Sequence, residues 1–209
     1  MYRSFVHLLS ITILRDKTIH NLAKKYNIKI YKVSSRRELE RVVKLSKLGF
    51  AFNFDLILSE SILDKFELGV YNIHASKLPE DRGISPVVWA FGRGDNSVWS
   101  TIYKMDDGVD TGEICKQFEI SVEDSDTCFS LYKKVSIRSE AILSSLVEKI
   151  LQGKVELRPQ KKDLNSNYCS WPDEEFSKMM RNSNRKIMRF SDLKKNNLLS
   201  ENILKFDRP

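Results

Sequence analysis

The sequence predicts an α/β fold, a mostly parallel sheet with helices on both faces. Three observations lead there. Short apolar runs alternate with amphipathic stretches through the first half of the chain, as strand–helix units do. The first run, SFVHLLSITIL (4–14), is apolar on both faces, the pattern of a strand in a covered parallel sheet. The chain has 209 residues, 41% hydrophobic and 30% charged, enough for one core of ordinary size but too little for two full domains.

In order along the chain, residues 4–14 form the first strand. Asp16 can cap a helix in which Ile19, Leu22, Ala23 and Tyr26 recur at helical spacing. IKIYKV (28–33) is a second strand. Ser34 or Ser35 then opens a charged helix through Leu45, with Glu38 placed for a capping box. DLILS (55–59) and GVYNI (69–73) are two more short strands. A short helix follows Gly83 and ends at Gly92 and Gly94. SVWSTIYKM (97–105) and EICKQFEISV (113–122) are strands flanking the acidic loop Asp106 to Gly112. Residues 125–153 give the clearest helix, capped by Ser125 or Asp126 and closed by Gly153. Beyond it periodicity weakens, leaving one helix expected over 173–180, and no internal repeat or low-complexity tract interrupts the chain.

Composition bounds the chemistry. Lysine and arginine number 35 against 28 acids, a net charge of +7 that favours anionic partners. The excess gathers late, in Lys161, Lys162, Arg181, Arg185, Lys186 and Arg189; a solvated face is the simpler account and an anion-binding strip the alternative. Cys115, Cys128 and Cys169 have no CxxC spacing, so neither a disulfide framework nor a thiolate metal site is expected, and a reducing cytoplasm is the default. The run from Phe5 to Leu14 is too short to span a bilayer and lacks a basic leader, so no membrane association is expected.

The informative stretch is YNIHASKLPEDRGISPVVWAFGRGD (71–95). Asn72 and His74 sit two apart on a strand, so both face one side where the strand runs out into a loop, the place where open α/β sheets bind ligands. An amide can donate to a developing oxyanion, and an imidazole can take a proton near neutral pH. Asp106, Asp107 and Asp110 of MDDGVDTGE could each orient that imidazole, and Gly108 and Gly112 let their loop bend back over the site. By themselves these residues indicate an α/β domain with an acid–base site, and Pro79, Gly83 and Pro86 would be ordinary loop punctuation.

NIHASKLPEDRGISPVVWA followed by TIYKMDDGVDTGEI resembles the folate-dependent formyltransferase family over about residues 28–155, with a weaker echo in FAFNFDLILSESIL (50–63). That family includes methionyl-tRNA formyltransferase, glycinamide ribonucleotide transformylase and the sugar N-formyltransferases. The resemblance implies a Rossmann-like catalytic domain over 1–155 and a small C-terminal extension over 156–209. It implies Asn72, His74 and Asp110 as the catalytic trio, and 10-formyltetrahydrofolate as the formyl donor, without a metal. The pterin would lie against Phe52, Asn53, Phe54, Asp55 and Leu56, beneath a loop that brings Asp107 and Gly108. The acceptor would meet Ser76, Lys77, Arg82, Gly83, Tyr168 and Trp171.

Among the acceptors, 209 residues leave no room for the tRNA-gripping domain, so no nucleic acid is expected. The arrangement Arg82-Gly83, Pro86 and Trp89 resembles the sugar N-formyltransferases, which act on nucleotide-linked amino sugars such as dTDP-4-amino-4,6-dideoxyglucose and are commonly homodimers. Three features depart from the family pattern. Only 71 residues precede Asn72, implying a sheet shortened at its N-terminal end. Trp99 stands where a small residue is usual, with the prospect of reshaping the floor beneath the acidic loop, and Lys77 replaces an apolar residue before Leu78-Pro79. Glycinamide ribonucleotide transformylase, a formyltetrahydrofolate hydrolase and a non-catalytic folate-binding relative are the alternatives.

Overall fold

The computed structural model describes residues 7–9, 21, 24–27, 29–31, 33–52, 54, 56–161 and 168–169. Strands β1 (His7–Leu9) and β2 (Lys29–Tyr31) pair in parallel, within the two stretches expected to be extended. The expected cap Asp16 and the apolar positions Ile19, Leu22 and Ala23 lie outside the described residues. Tyr26, the fourth of that apolar set, follows the helical Lys24 and Lys25 and projects into solvent, 62% exposed.

Helix α1 (Arg36–Val42) is capped by Ser35, whose hydroxyl accepts from Glu38 N at 3.3 Å. The Glu38 carboxylate reaches back one residue further than a capping box requires, to the Ser34 amide at 2.7 Å and hydroxyl at 2.9 Å. The helix stops short of the expected Leu45, whose side chain is exposed.

The sheet that matters follows. Strand β3 (Gly49–Phe52) is parallel to β4 (Val70–His74), β4 is antiparallel to β6 (Ser97–Lys104), and β6 to β7 (Ile114–Ser121), giving the order β3-β4-β6-β7. The α/β expectation holds, and this four-stranded sheet is mixed. The strand expected at 55–59 is corrected: the paired segment lies earlier, at β3, and Leu56–Ser59 runs without a ladder into α2 (Glu60–Leu63). An apolar run alone does not distinguish a strand from a packed loop. Leu58 meets its burial requirement against Val33, Leu39 and Ile62 with no strand partner.

Strand β5 (Arg82–Gly83) pairs in parallel with β8 (Tyr168–Cys169), and the Ile84 amide donates to the Cys169 carbonyl at 2.7 Å. Helix α3 (Pro86–Arg93) starts with proline, whose missing N–H costs nothing there, and ends at Gly94 with φ 76°, as read from the sequence. The long helix α4 (Cys128–Leu151) is capped by Thr127 in place of the expected Ser125 or Asp126: Thr127 Oγ1 accepts from Ser130 N at 3.0 Å, and Ser130 Oγ from Thr127 N at 2.9 Å. The expected helix over 173–180 lies outside the described residues.

Helices cover both faces of the sheet. On one, Leu146 and Ile150 of α4 pack on Tyr71, Ile102 and Phe118, and Leu131 and Val135 meet Val87, Phe91 and Val98. On the other, Ala51 and Val70 carry Val33, Leu39, Val43 and Ile62. Asn72 and His74 follow Val70 at two-residue steps, so they share this second face.

Asp126, freed from capping, is buried and accepts from Glu123 N at 2.8 Å, Ser130 Oγ at 2.6 Å and Lys134 Nζ at 2.7 Å. Burial alone would raise its carboxyl, but the hydrogen bonds from Lys134, Ser130 and the Glu123 backbone outweigh it and hold it below its ordinary value. Asp126→Asn is expected to cost about 1–3 kcal/mol at neutral pH. With the folded value lowered, this contribution is complete above the ordinary 3.8 and is lost as pH falls through the lowered value. Thermal melts of parent and variant should therefore differ near neutrality and converge in strong acid.

Candidate active site

The register of three strands assembles the site. Ala51 lies opposite Asn72, Asn72 opposite Tyr103, and His74 opposite Thr101, so these side chains occupy one face. Asp110 arrives from the β6–β7 loop at φ 54°. Both His74 and Asp110 are 8% exposed.

Tyr103 joins the group together. Its hydroxyl lies 2.7 Å from Asp110 Oδ1 and 2.9 Å from Asn72 Nδ2. A carboxylate can only accept, so the phenol proton goes to Asp110 and the phenol oxygen must accept from the amide. Burial, and then the charge of Asp110, push the Tyr103 phenol well above its ordinary range, which keeps that proton in place. The direction of the Asn72 amide follows: Nδ2 faces Tyr103, and Oδ1 is left buried without a partner among the described residues.

His74 is held differently from expectation. Its Nε2 is 3.0 Å from the Asp81 carbonyl and 3.7 Å from Asp110 Oδ2. A carbonyl cannot donate, so Nε2 carries the proton and Nδ1 the lone pair of the neutral ring. The Asp81 backbone carbonyl orients the ring, where the sequence offered the carboxylates of Asp106, Asp107 and Asp110 for that task. Asp110 Oδ2 instead takes the Gly83 amide at 2.8 Å and stands beside the imidazole as a fixed charge.

The loop is tied from behind. Gln160 Nε2 donates to the carbonyls of Asp110 and Gly112, both at 2.8 Å, and Arg82 Nη2 holds Gln160 Oε1 at 2.9 Å. Thr101 Oγ1 donates to the Ser76 carbonyl at 2.7 Å and accepts from Leu78 N at 3.2 Å, fixing the exit of β4.

The other expected residues divide. Phe54, Leu56 and Met105, the last at the root of the acidic loop, each pack against the same buried cluster, which includes Ala51, Leu58 and Val70. Phe52 lies opposite Ile73, and strand alternation turns its side chain to the face away from the trio. Asp107 is exposed, and the Gly108 amide donates to Asp106 Oδ1 at 3.2 Å. Gly83 and Arg82 border Asp110 and Gln160, with Arg82 Nε buried and unpartnered among the described residues. Ser76 is buried with its hydroxyl given to the Glu80 carbonyl at 3.1 Å. The exposed Lys77 sits 5.2 Å from the Trp99 ring centre. Trp99 stands four residues before Tyr103 on β6 and lines a small cavity with Ser76, Pro86 and Ala90. It therefore does not form the floor of the acidic loop. Asn53, Asp55 and Trp171 lie outside the described residues, and Tyr168 is described only through its backbone pairing with Arg82. Among the described residues, no group of three His, Cys, Asp or Glu is placed to hold a metal, and no helix is long and apolar enough to cross a membrane.

With this geometry in hand, comparison with known proteins assigns the family. The formyl transferase family matches residues 14–147, more than half of the chain. The chain belongs to that family. Among curated formyl transferase relatives, it is 36% identical over 135 residues to the bifunctional polymyxin resistance protein ArnA of Wigglesworthia glossinidia brevipalpis, covering 63% of this chain and 21% of that protein. It is also 36% identical over 152 residues to the methionyl-tRNA formyltransferase of the same organism, covering 70% and 48%. The chain thus spans less than half the length of either curated relative.

Among solved structures it is similar to WlaRD, a sugar 3N-formyl transferase crystallised in the presence of dTDP and 5-N-formyl-THF, with 25% identity and a TM-score of 0.60 over 73% of this chain and 53% of that one. It also shares its fold with the formyltransferase PseJ of Anoxybacillus kamchatkensis, with 22% identity and a TM-score of 0.70 over 90% of this chain and 96% of that one.

Gly112 lies tight against the end of β6: a Cβ there would collide with the Lys104 carbonyl oxygen, a backbone atom that cannot step aside. Gly112→Ala is expected to cost about 1–3 kcal/mol and to free the Gly83 amide from Asp110. Urea unfolding reads the first effect, and faster hydrogen exchange at Gly83 the second.

Proposed function

We propose that this chain transfers a formyl group from 10-formyltetrahydrofolate to the amine of a nucleotide-linked amino sugar. The observation that carries this reading is the meeting of Asn72, His74 and Asp110 on one sheet face, linked through Tyr103. Membership of the formyl transferase family supports the reaction class. The likeness to WlaRD, crystallised with dTDP and a formylated folate, supports the donor and the acceptor class.

The residues fit a folate. Phe54, Leu56 and Met105 offer a half-buried apolar strip beside the acidic loop, and Asn72 Oδ1 is a buried acceptor lacking a donor. Phe54, residues 56–58 and the loop at Asp107 and Gly108 would hold it. When bound, 10-formyltetrahydrofolate supplies an electrophilic formyl carbon.

The chain's own groups do the rest. One Asn72 N–H is committed to Tyr103, and the second is free to donate to negative charge growing on the formyl oxygen. A single donor of this kind is worth about 2.7–4 kcal/mol. His74, with its Nε2 proton tied to the Asp81 carbonyl, would take the proton of the attacking amine on its other nitrogen, directly or through water, and return it to the folate nitrogen as that nitrogen's bond to the formyl carbon breaks and tetrahydrofolate leaves. Asp110, held by Tyr103 and Gly83, stabilises the resulting imidazolium from 3.7 Å. The positive balance of the chain and the unpartnered Arg82 Nε suit an acceptor carrying a diphosphate.

The test is formylation by the pure protein, with dTDP-4-amino-4,6-dideoxyglucose, UDP-linked amino sugars and glycinamide ribonucleotide as acceptors and mass spectrometry as the readout. One nucleotide sugar should gain a formyl group. Transfer to glycinamide ribonucleotide alone, or formate release without an acceptor, would replace the sugar reading. His74→Ala is expected to lower kcat by about 10²–10⁴ with the fold retained, and near-parental turnover would remove the imidazole from the mechanism. Tyr103→Phe, which lets the amide turn, should lower kcat by about tenfold.

A further inference from the structure

The turn that carries the His74 hydrogen-bond acceptor is not one its own residues favour. Asp81 stands at φ 53°, Gly83 at φ 99° and Ser85 at φ 53°. Left-handed backbone is ordinary for the glycine, tolerated by the aspartate and disfavoured for the serine, so contacts from outside the segment help to hold this shape. On one side Gly83 N is held by Asp110. On the other, Asp81 is held by Arg93, from the last turn of α3. The guanidinium meets the Asp81 carboxylate with both prongs, Nη1 to Oδ1 at 2.9 Å and Nη2 to Oδ2. The same group is braced from behind by Asp95, through Nε at 3.1 Å and Nη2 at 2.6 Å. Only 21% of the Arg93 side chain and 14% of the Asp81 side chain are exposed. A planar fork matched to a carboxylate fixes direction as well as distance, which a lysine cannot do.

We propose that Arg93 is a positioning residue for His74: by clamping the Asp81 carboxylate it fixes the turn whose carbonyl holds the Nε2 proton of the imidazole. The catalytic consequence rests on the proposed role of His74 as the proton acceptor; the clamp itself does not. Without Arg93 the Asp81 carboxylate loses its fork and retains the Cys169 thiol at 3.7 Å, so the Asp81 carbonyl is aimed less firmly at the imidazole. The nearest other acceptor for Nε2 is then Asp110 Oδ2, now 3.7 Å off, and moving to it would rotate the ring and draw Asp110 from Gly83.

The experiment uses the full chain with 15N-labelled histidine. The protein has three histidines, and the His74 ring signals are assigned by their loss in His74→Gln. A ring N–H donated to a buried carbonyl exchanges slowly and gives a resolved proton signal. Arg93→Gln and Arg93→Lys should each lose or shift that signal. In the formylation assay they should lower kcat by about tenfold or more while moving either KM by less than about threefold. If the arginine variants do not fold, Asp81→Asn weakens the same fork from the other side and should move the signal in the same way. Variants that melt earlier but keep the His74 ring signal and the parental kcat would reduce Arg93 to a structural residue and overturn the proposal. If the parent transfers no formyl group to any acceptor, the reading of the reaction falls, while the ring signal still decides the clamp.

Discussion

The register of β4 against β6 is the constraint on which the rest hangs. β4 is covered on both faces: Tyr71 and Ile73 look toward α4, while Val70 packs toward α1 and α2, and Asn72 and His74, on that same face, meet Tyr103 and the Asp81 turn. A slip of one residue would exchange the two sets. Asn72 and His74 would then sit among Leu146, Ile150 and Phe118, where an amide and an imidazole without partners cost several kcal/mol, on the order of 2–7 for each group. In the observed register Asn72 finds Tyr103 across the strand. Packing and chemistry therefore select the same pairing, and the positions of both polar groups are fixed before any ligand arrives.

The acidic loop has no such ladder and is secured by separate ties. Asp110 lies in left-handed backbone, disfavoured for a residue with a side chain. Three contacts offset this: Tyr103 and Gly83 N on its carboxylate, and Gln160 on its carbonyl. Gln160 and its holder Arg82 are far apart in sequence, so the shape of the loop depends on the segment after α4 returning along the sheet, where Arg158 bridges Ile114. Because β6 runs antiparallel to β4, the loop begins near Val70, at the far end of β4 from His74, and must fold back over the sheet face to deliver its carboxylate.

Much of this was legible in the sequence, for reasons that also explain what was not. β6, β7, α3 and α4 have the period and the punctuation of their type, and the pair Asn72 and His74 declares a shared face by spacing alone. Choosing Asp110 among three nearby aspartates needed the family resemblance; the structure places Asp106 on its own loop, held to Gly108 and Thr111, and leaves Asp107 exposed. The errors have local causes. Ser125, Asp126 and Thr127 can all cap a helix, and Lys134, two turns along α4, draws Asp126 out of the competition. Tyr103 left no mark as a site residue because its role exists only through strand register. The Asp81 carbonyl left none because every residue has one.

The arrangement also bears on how a buried site tolerates a change of charge. The site sets a carboxylate beside an imidazole, both 8% exposed. That single negative charge would be expensive in a low-dielectric interior, but the phenol of Tyr103 and the amide of Gly83 already solvate it. In the proposed transfer, a proton taken by His74 would place the new cation 3.7 Å from a charge already fixed in direction and distance, so little would have to reorganise. Had Asp110 given its oxygens to His74 alone, it would lack a hold on the turn that supplies the imidazole's other partner. By spending one oxygen on Tyr103 and one on Gly83, it orients the amide of Asn72 and the turn behind His74 at once, and acts on the imidazole through its charge.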